Sequence, residues 1–310
     1  MMLEQSTVEI LMAVRNGERF IQEQINSILK QDYTNFRLLV RDNCSDDNTC
    51  KIVELYIEKY PEKIFLIRSK ENVGILGNFS HLMDYAKSDY VMFADHDDVW
   101  YPEKISSTMQ KMKEMEKTFG NQTPILVHSD LKVVDMSLNT VCESFWNYAN
   151  IKPIKGIGCL NRQLVQNTIT GNTVLINRHL LEIAKPIPTE VIMHDWWLGL
   201  VAAAFGVIGN IDNPTILYRQ HSSNDTGAKK YQFPVKVSTI KRDRALKRNL
   251  VAQAKTFLNR YHQSLSDRDK RMIEAYALFQ ESWPLTKMFL MIKYGFYKYG
   301  FLRNLKEILT

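Results

Sequence analysis

The stretch YVMFADHDDVW, residues 90–100, decides the fold. Its first half, YVMFA (90–94), is a strongly apolar run that breaks off at an acidic cluster, Asp95, Asp97 and Asp98. A short apolar run bounded by polar residues reads as a buried strand. Three carboxylates within four residues repel one another, and each loses hydration when partly buried, so a fold keeps them at a strand end when a cation or polar ligand compensates. Hard oxygen donors of this kind suit Mg2+ or Mn2+, which hold one or two protein carboxylates and draw their other ligands from substrate phosphates and water. The alternative is a solvated acidic turn leading into the helix after Pro102.

On the N-terminal side, ILMAV (10–14), RLLVR (37–41) and IFLIR (64–68) read as three further strands. Between them lie segments of helical spacing: Phe20, Ile21, Ile25, Ile28 and Leu29, then Ile52, Val53, Leu55, Tyr56 and Ile57, the second with Ser45 or Asp46 available as its cap. A further helical stretch runs from the turn ENVG to about Lys87. Strand–helix–strand alternation to about residue 130 predicts an α/β fold with a central, mainly parallel sheet flanked by helices. On the C-terminal side the pattern predicts a helix over 102–119, a strand in LVHSDLKVVD (126–135), a turn into a strand in TGNTVLINR (170–178), and an apolar helix from MHDWW (193–197) to about Phe205. Two short strands follow, VIGNI (207–211) and TILYRQ (215–220), and then a basic helical tail from Lys236.

In open parallel sheets, ligands bind beyond the carboxyl ends of the strands. The loops that begin at Asp42 and Asp95 both leave such ends, so they point to one crevice. An Asp directly after a strand, as Asp42 is, can accept from a base N–H or a ribose hydroxyl, although DNCSDDNT (42–49) taken alone reads as an Asx turn and helix cap. Neither GxGxxG nor GxxxxGK[ST] is present, which excludes a dinucleotide fingerprint and a Walker-type phosphate loop.

Four motifs in order, AVRNG (13–17), VRDNCSDDNT (40–49), ENVGILGNFSHLM (71–83) and FADHDDVWYPEKI (93–105), resemble family 2 of the glycosyltransferases, inverting enzymes of the A-type nucleotide-sugar fold. Within that family the chain is similar to bacterial rhamnosyltransferases of cell-wall and capsule assembly. The similarity covers roughly residues 8–225. It implies that Val14, Arg15 and Asn16 lie near the nucleotide and that Asp42 meets the base. The family's DxD motif falls on Asp95-His96-Asp97, which makes Asp97 the direct metal ligand, with Asp95 and Asp98 on the donor side; His96 departs from the commoner small or amide residue. His221 matches a histidine that completes the metal or diphosphate site, and Arg219 is placed to pair with phosphate. Gly171 and Asn172 fall near the donor sugar and acceptor cleft. Asp195 falls where the family's catalytic base sits, at the head of a helix. Trp196 and Trp197 follow it, either as stacking platforms for the acceptor sugar or as core.

Length and composition set the frame. With 310 residues, 45% apolar and 24% charged, this is an ordinary globular chain with room for one large domain and an appendage. The expected division is a catalytic region over 1–235, with a nucleotide-binding half to about 130 and an acceptor half over 131–235, and a basic amphipathic helical region over 236–310. Four cysteines at no metal-binding spacing make a reducing cytoplasm the simplest compartment. The N-terminus lacks the basic start of a signal peptide, and the longest uncharged stretch, 196–211, is cut by three glycines and is shorter than the ~20 residues that span a bilayer.

The net charge of +6 is uneven: residues 236–310 carry 16 basic against 6 acidic residues, and the rest 24 against 28. Basic residues interleaved with aromatic and aliphatic ones describe a helix that lies on an anionic membrane, on the inner face of the plasma membrane if the acceptor is lipid-linked. A packed helical hairpin is the alternative. Nothing resembles a nucleic-acid module. The expected partners are therefore a nucleotide-sugar donor, a lipid-linked glycan acceptor and Mn2+ or Mg2+, and a homo-oligomer is compatible with the sequence. The sequence leaves three functional readings: a hexosyltransferase, most simply of L-rhamnose from dTDP-rhamnose but also of another sugar from a UDP donor; a catalytically silent nucleotide-sugar or glycan-binding subunit; and, last, a sugar nucleotidyltransferase, for which AVRNGERF (13–20) lacks a glycine-rich loop.

Overall fold

A computed structural model describes residues 6–221, 227–228 and 240–309. The boundary expected between residues 235 and 236 falls outside them. In chain order the elements are β1 (Val8–Val14), α1 (Ile21–Leu29), β2 (Phe36–Asp42), α2 (Thr49–Lys59), β3 (Ile64–Arg68), α3 (Gly74–Tyr85), β4 (Tyr90–Ala94), β5 (Val99–Trp100), α4 (Lys104–Phe119) and β6 (Ile125–Val134). There follow β7 (Thr140–Cys142), α5 (Phe145–Tyr148), α6 (Leu160–Val165), a 3-10 turn (Gly171–Thr173), β8 (Leu175–Asn177), α7 (Arg178–Ala184), α8 (His194–Phe205), β9 (Val207–Arg219), α9 (Ile240–Tyr261), α10 (Asp267–Glu281), α11 (Pro284–Tyr294) and α12 (Phe301–Leu309).

The described strands form one sheet in the order β3-β2-β1-β4-β8-β6-β9-β5, with β7 added on β6. Its long ladders, β1 with β2 and β4, β2 with β3, and β6 with β9, are parallel; β8, β7 and β5 pair antiparallel. Parallel strands lie between helices on both faces, which is why they read as continuous apolar runs. Within β1 the strand period still sorts the faces: Val8, Ile10, Met12 and Val14 join the cluster covered by α1 and α4, whereas Leu11 joins the one covered by α3 and α6–α8. The charged residue inside β1, Glu9, is buried because Oε2 accepts the backbone N–H of Lys87 and of Ser88 at 2.5 and 2.8 Å, tying off the turn before β4.

Two local expectations are corrected. Neither Ser45 nor Asp46 caps α2; Asp47 accepts Thr49 N–H there at 2.9 Å, while Ser45 and Asp46 reach the loop after β1. VIGNI and TILYRQ are one strand, β9, because Asp212, Asn213 and Pro214 occupy a bulge where the pairing with β6 jumps from Ser129↔Ile211 to Asp130↔Pro214. A bulge admits the proline that would end a regular central strand.

The C-terminal helices share the core of the first part of the chain. Leu250, Phe257, Tyr261, Ile273 and Phe279 belong to the same buried cluster as Leu11 and Phe93. Trp197 is the hinge of this packing. It is 0% exposed, its indole N–H donates to Ala184 O at 2.9 Å, and its ring meets Phe257 and Tyr261 at centroid distances of 5.4 and 5.8 Å. The expectation that Trp197 stacks on an acceptor sugar is therefore overturned: tail helix α9 covers it. No helix among the described residues is long and apolar enough to cross a membrane. Replacing Trp197 with Ala is expected to lower the unfolding free energy by about 3–5 kcal/mol, through a cavity beneath α9; denaturant titration checks this, and a loss below about 1 kcal/mol would show that α9 does not depend on that ring.

Candidate active site

The carboxyl ends of β1, β2 and β4 bring three loops to one edge of the sheet, as the strand pattern predicts. The first two are laced together. Asn16 adopts φ +52°, the left-handed region that Asn tolerates, and its N–H donates to Ser45 Oγ at 2.8 Å while its Oδ1 accepts Asp46 N–H at 3.0 Å. Gly17 N–H donates to Thr49 Oγ1 at 2.8 Å and Glu18 N–H to Asp47 at 3.0 Å. The Ser45 and Thr49 hydroxyls and the Asp47 carboxylate are thus spent on holding residues 16–18 in place. A Cβ at Gly17 would stand 2.6 Å from the His96 ring, so the first loop also lies directly on the acidic cluster.

These loops open onto a cavity of about 680 Å³. Its lining combines Val14, Arg15, Asn16, Asn43, Asp95, Asp97 and His221 with Phe145, Ile151, Thr170, Gly171, His194 and Asp195. The three aspartates of the cluster have different fates. Asp95 and Asp97 face the cavity. Asp98 is wholly buried beneath it, where one carboxylate oxygen accepts the Asn172 side-chain amide at 2.5 Å and the other accepts Arg219 N–H at 3.1 Å. Burial, with Asp97 and Asp95 adding to it, raises the Asp98 pKa well above the usual carboxylate range. Beside it the buried Lys104 ammonium lies 4.5 Å from the centre of the Trp100 ring, its pKa pushed down to about 7 by burial against the opposing pull of Asp98.

Five residues expected at the ligand are corrected. Asp98 and Asn172 hold each other under the cavity floor and face no ligand. Arg219 is buried too: Nε donates to Asp97 O at 2.9 Å, Nη1 to Met136 O at 2.7 Å, and Nη2 pairs with Glu23, which leaves it a brace for the acidic loop and not a phosphate clamp. Asp42 is buried at the end of β2, accepting Ser45 N–H at 3.1 Å, and it is the next residue, Asn43, that lines the cavity; Asp42 Oδ1 keeps no hydrogen-bond partner among the described residues. Trp196 lies half-buried with its indole N–H on Gln163 O at 2.7 Å, off the cavity wall.

The residues that do meet are Asp97 and His221, with His221 Nε2 2.8 Å from Asp97 Oδ2. Phe20 orients this pair: its ring stacks on His221 at 4.8 Å, and the Arg219 guanidinium lies over the same ring, also at 4.8 Å from its centre. A carboxylate and an imidazole side by side on a cavity wall suit a divalent cation that completes its shell with phosphate oxygens. Among the described residues there is no group of three or more His, Cys, Asp or Glu side chains that could hold a metal ion by themselves. His96 lies beside this pair, its pKa lowered by burial.

Asp195, also on the cavity wall, lies in the first turn of α8. It is 9% exposed, and it accepts Trp196 N–H at 2.6 Å, with Gly171 N–H and the Asn167 amide as further donors. Burial outweighs these donors and pushes its pKa up to about 7. Gly171 is required where it stands, since a Cβ there would come within 2.6 Å of the His194 ring and 3.7 Å of Asp195. His194 itself packs against Phe79 at 4.0 Å and is held neutral by burial, its pKa pushed down to about 3.

Several lining residues escape a reading by motif. Arg19, Asn43 and Arg303 reach the cavity wall. Arg19 was visible only as the second arginine of AVRNGERF, and Arg303 lies in the tail, 108 positions after Asp195.

Comparison with known proteins bears on the family and the fold. The model of "Glycosyl transferase family 2" matches residues 9–151. The dTDP-rhamnosyl transferase RfbG of Shigella flexneri is 30% identical over 225 residues, covering 70% of this chain and 74% of its own. The UDP-Glc:alpha-D-GlcNAc-diphosphoundecaprenol beta-1,3-glucosyltransferase WfgD of Escherichia coli is 31% identical over 175 residues, 56% of this chain and 61% of its own. Among solved structures, S. aureus TarS 1–349 in complex with UDP-GlcNAc superposes with a TM-score of 0.61 at 20% identity, covering 88% of this chain and 71% of that one. With its A-type glycosyltransferase fold, its ordered loop motifs and a rhamnosyltransferase relative of this extent, the chain belongs to glycosyl transferase family 2.

Proposed function

We propose that this glycosyltransferase moves a hexose, foremost L-rhamnose from dTDP-rhamnose, to a hydroxyl of a lipid-linked cell-wall or capsular polysaccharide intermediate, with inversion at the anomeric carbon. The observation that carries the reading is a single cavity lined by the Asp97–His221 pair and by a buried carboxylate, Asp195, whose pKa is raised to about 7. The similarity to RfbG supports the rhamnose donor, and WfgD, by its name, uses a diphosphoundecaprenol-linked acceptor.

In this mechanism the nucleotide lies against Val14, Arg15, Asn16 and Asn43. Asp97 and His221 would hold Mn2+ or Mg2+, which when bound neutralises the charge that collects on the leaving nucleoside diphosphate. Asp95 and Arg19 border the diphosphate. Asp195 takes the proton of the acceptor hydroxyl as its oxygen attacks the anomeric carbon from the face opposite the diphosphate; the new glycosidic C–O bond forms as the bond to the diphosphate breaks. One displacement needs one base, and the elevated pKa of Asp195 makes it a stronger base than an exposed Asp at neutral pH.

The tail supports a position at a membrane. On α11, Leu285, Met288, Phe289 and Ile292 form an exposed stripe at helical spacing, with Ile292 72% exposed, while Lys287 and Met291 are buried. Trp283 before it is 82% exposed, and residues 284–309 carry five basic residues against one acidic. An exposed apolar stripe among cations matches an anionic bilayer surface, while α9 and α10 are packed on the core.

The second reading, a silent nucleotide-sugar or glycan-binding subunit, keeps the Asp97–His221 pair but has no use for Asp195. A donor screen over dTDP-rhamnose and UDP-sugars with Mn2+ or Mg2+, following nucleoside diphosphate release with and without a lipid-linked acceptor, separates them: silence with all donors supports the binding subunit. For the enzyme, Asp195→Asn is expected to lower kcat about 10²–10⁴-fold with nucleotide binding intact; near-wild-type turnover would remove Asp195 as the base. As the base must be deprotonated, kcat/KM is expected to rise about tenfold per pH unit below the Asp195 pKa near 7 and to level off above it. A profile flat from pH 5.5 to 7.5 contradicts that assignment. Asp97→Asn is expected to raise the Mn2+ concentration needed for half-maximal activity by at least about tenfold, and an unchanged metal requirement would place the cation elsewhere.

A further inference from the structure

We infer that Asn167 is a positioning residue for Asp195: its side-chain amide, aimed by the loop that carries it, holds that carboxylate in the charged and oriented form that takes a proton from a sugar hydroxyl. The inference deepens the transfer reaction proposed above and rests on Asp195 being its base.

The segment NTITGN, residues 167–172, lies between α6 and β8. It meets Asp195 twice, through the Asn167 side-chain amide and the Gly171 N–H, and its last residue, Asn172, holds Asp98. The direction of the Asn167 amide is fixed by its neighbours. Its Oδ1 accepts the backbone N–H of Ile169 at 3.1 Å and Nε2 of Gln163 at 3.2 Å. A backbone N–H can only donate, so the atom opposite it is the oxygen, and the NH2 group is left for Asp195.

Gln163 is held in turn. It is 0% exposed, its carbonyl accepts the Trp196 indole N–H at 2.7 Å, and a Cβ at Gly199 would stand 2.2 Å from its Nε2. Asp195 and Gly199 are four residues apart on one face of α8, so the missing side chain at Gly199 leaves room for the amide that braces Asn167 beside Asp195.

The other donors to Asp195, the N–H groups of Trp196, Gly171 and Asp195 itself, belong to the backbone. They follow from the turns of the chain, whatever side chains the loop carries. Asn167 is the side chain that joins them, and it shares the cavity wall with Asp195. Burial pushes the Asp195 carboxyl up to about 7 against all of these donors, so near neutral pH about half of it is charged. At that balance the loss of one donor removes most of the base. The titratable groups around it stay the same: His194 beside it is held neutral by burial, and Asp95, Asp97, His96 and His221 line the same cavity. The cations there are Arg15, Arg19 and Arg303. A difference between wild type and an Asn167 variant therefore reads the amide.

The test uses the full chain with Mn2+ and two variants. Asn167→Asp keeps the shape but puts an acceptor where the donor stood, and Asn167→Ala removes both. One readout is the pH profile of kcat/KM with the donor that the screen selects. The other, independent of turnover, is the pH titration of the Asp195 carboxyl carbon followed by NMR and assigned by its absence in Asp195→Asn. Expected is a move of both to higher pH, by about one pH unit in Asn167→Ala and by more in Asn167→Asp, with dTDP or UDP affinity unchanged. At about pH 6.5 this lowers kcat/KM of Asn167→Ala by about five- to tenfold. If Asn167→Asp binds no nucleotide, Asn167→Ala alone carries the test. A profile and a carboxyl titration that stay where they are in wild type overturn the inference. So does a rate lowered equally at every pH with the titration unmoved, because Asn167 would then only support the local fold. Undiminished turnover by Asp195→Asn instead removes the base reading itself, and the carboxyl titration still shows whether Asn167 acts on Asp195.

Discussion

The carboxylate of Asp98 is the joint on which the cavity depends. Fully buried, it has to be answered by donors, and the fold answers it with the Asn172 side-chain amide and the backbone N–H of Arg219. Those donors come from the turn before β8 and from the last residue of β9, so a single side chain fastens the loop after β4 to both. Three residues of the cavity wall sit next to this joint: Asp97 is one residue before it, Gly171 one residue before Asn172, and His221 two residues after Arg219. Removing one partner would leave a buried charge or amide unsatisfied, at a cost of about 1–3 kcal/mol or more.

The same economy explains the unusual density of polar residues in this region. Ser45, Asp46, Asp47 and Thr49 are hydrogen-bonded to the loop after β1, and Arg219 to Asp97, Met136 and Glu23. These groups act as framework. Among the polar residues on the cavity wall, Asp97 with His221 and Asp195 have their orientation set by neighbours on the same wall, Phe20 for the first pair and Gly171 for the last.

The parallel half of the sheet was legible because its strands are buried on both faces and so announce themselves as apolar runs; β3 and β4 begin and end where the pattern puts them. The position of the cluster at a strand end followed from the same run. The assignment of roles inside the cluster was not legible, because DHDD gives no sign of which carboxylate turns inward; burial of Asp98 depends on Asn172 and Arg219, which are 74 and 121 positions away. Trp196 and Trp197 present the same difficulty: adjacent residues on a helix point 100° apart, and only the docking of α9 decides which is core. β9 was read as two strands because a proline at a bulge looks, in one dimension, like a proline in a loop. Arg303 carries no local signal at all, since a lone arginine in a basic amphipathic tail resembles its neighbours.

The make-up of the cavity wall has a historical consequence. It is drawn from residues 13–97 and 145–195, together with Tyr218, His221, Gly227 and Arg303. Segments so separated along a gene can be inherited independently. A lineage that recombines or drifts in the second segment reshapes the wall around Asp195 while the first loops, bonded to one another at the sheet edge, stay as they were.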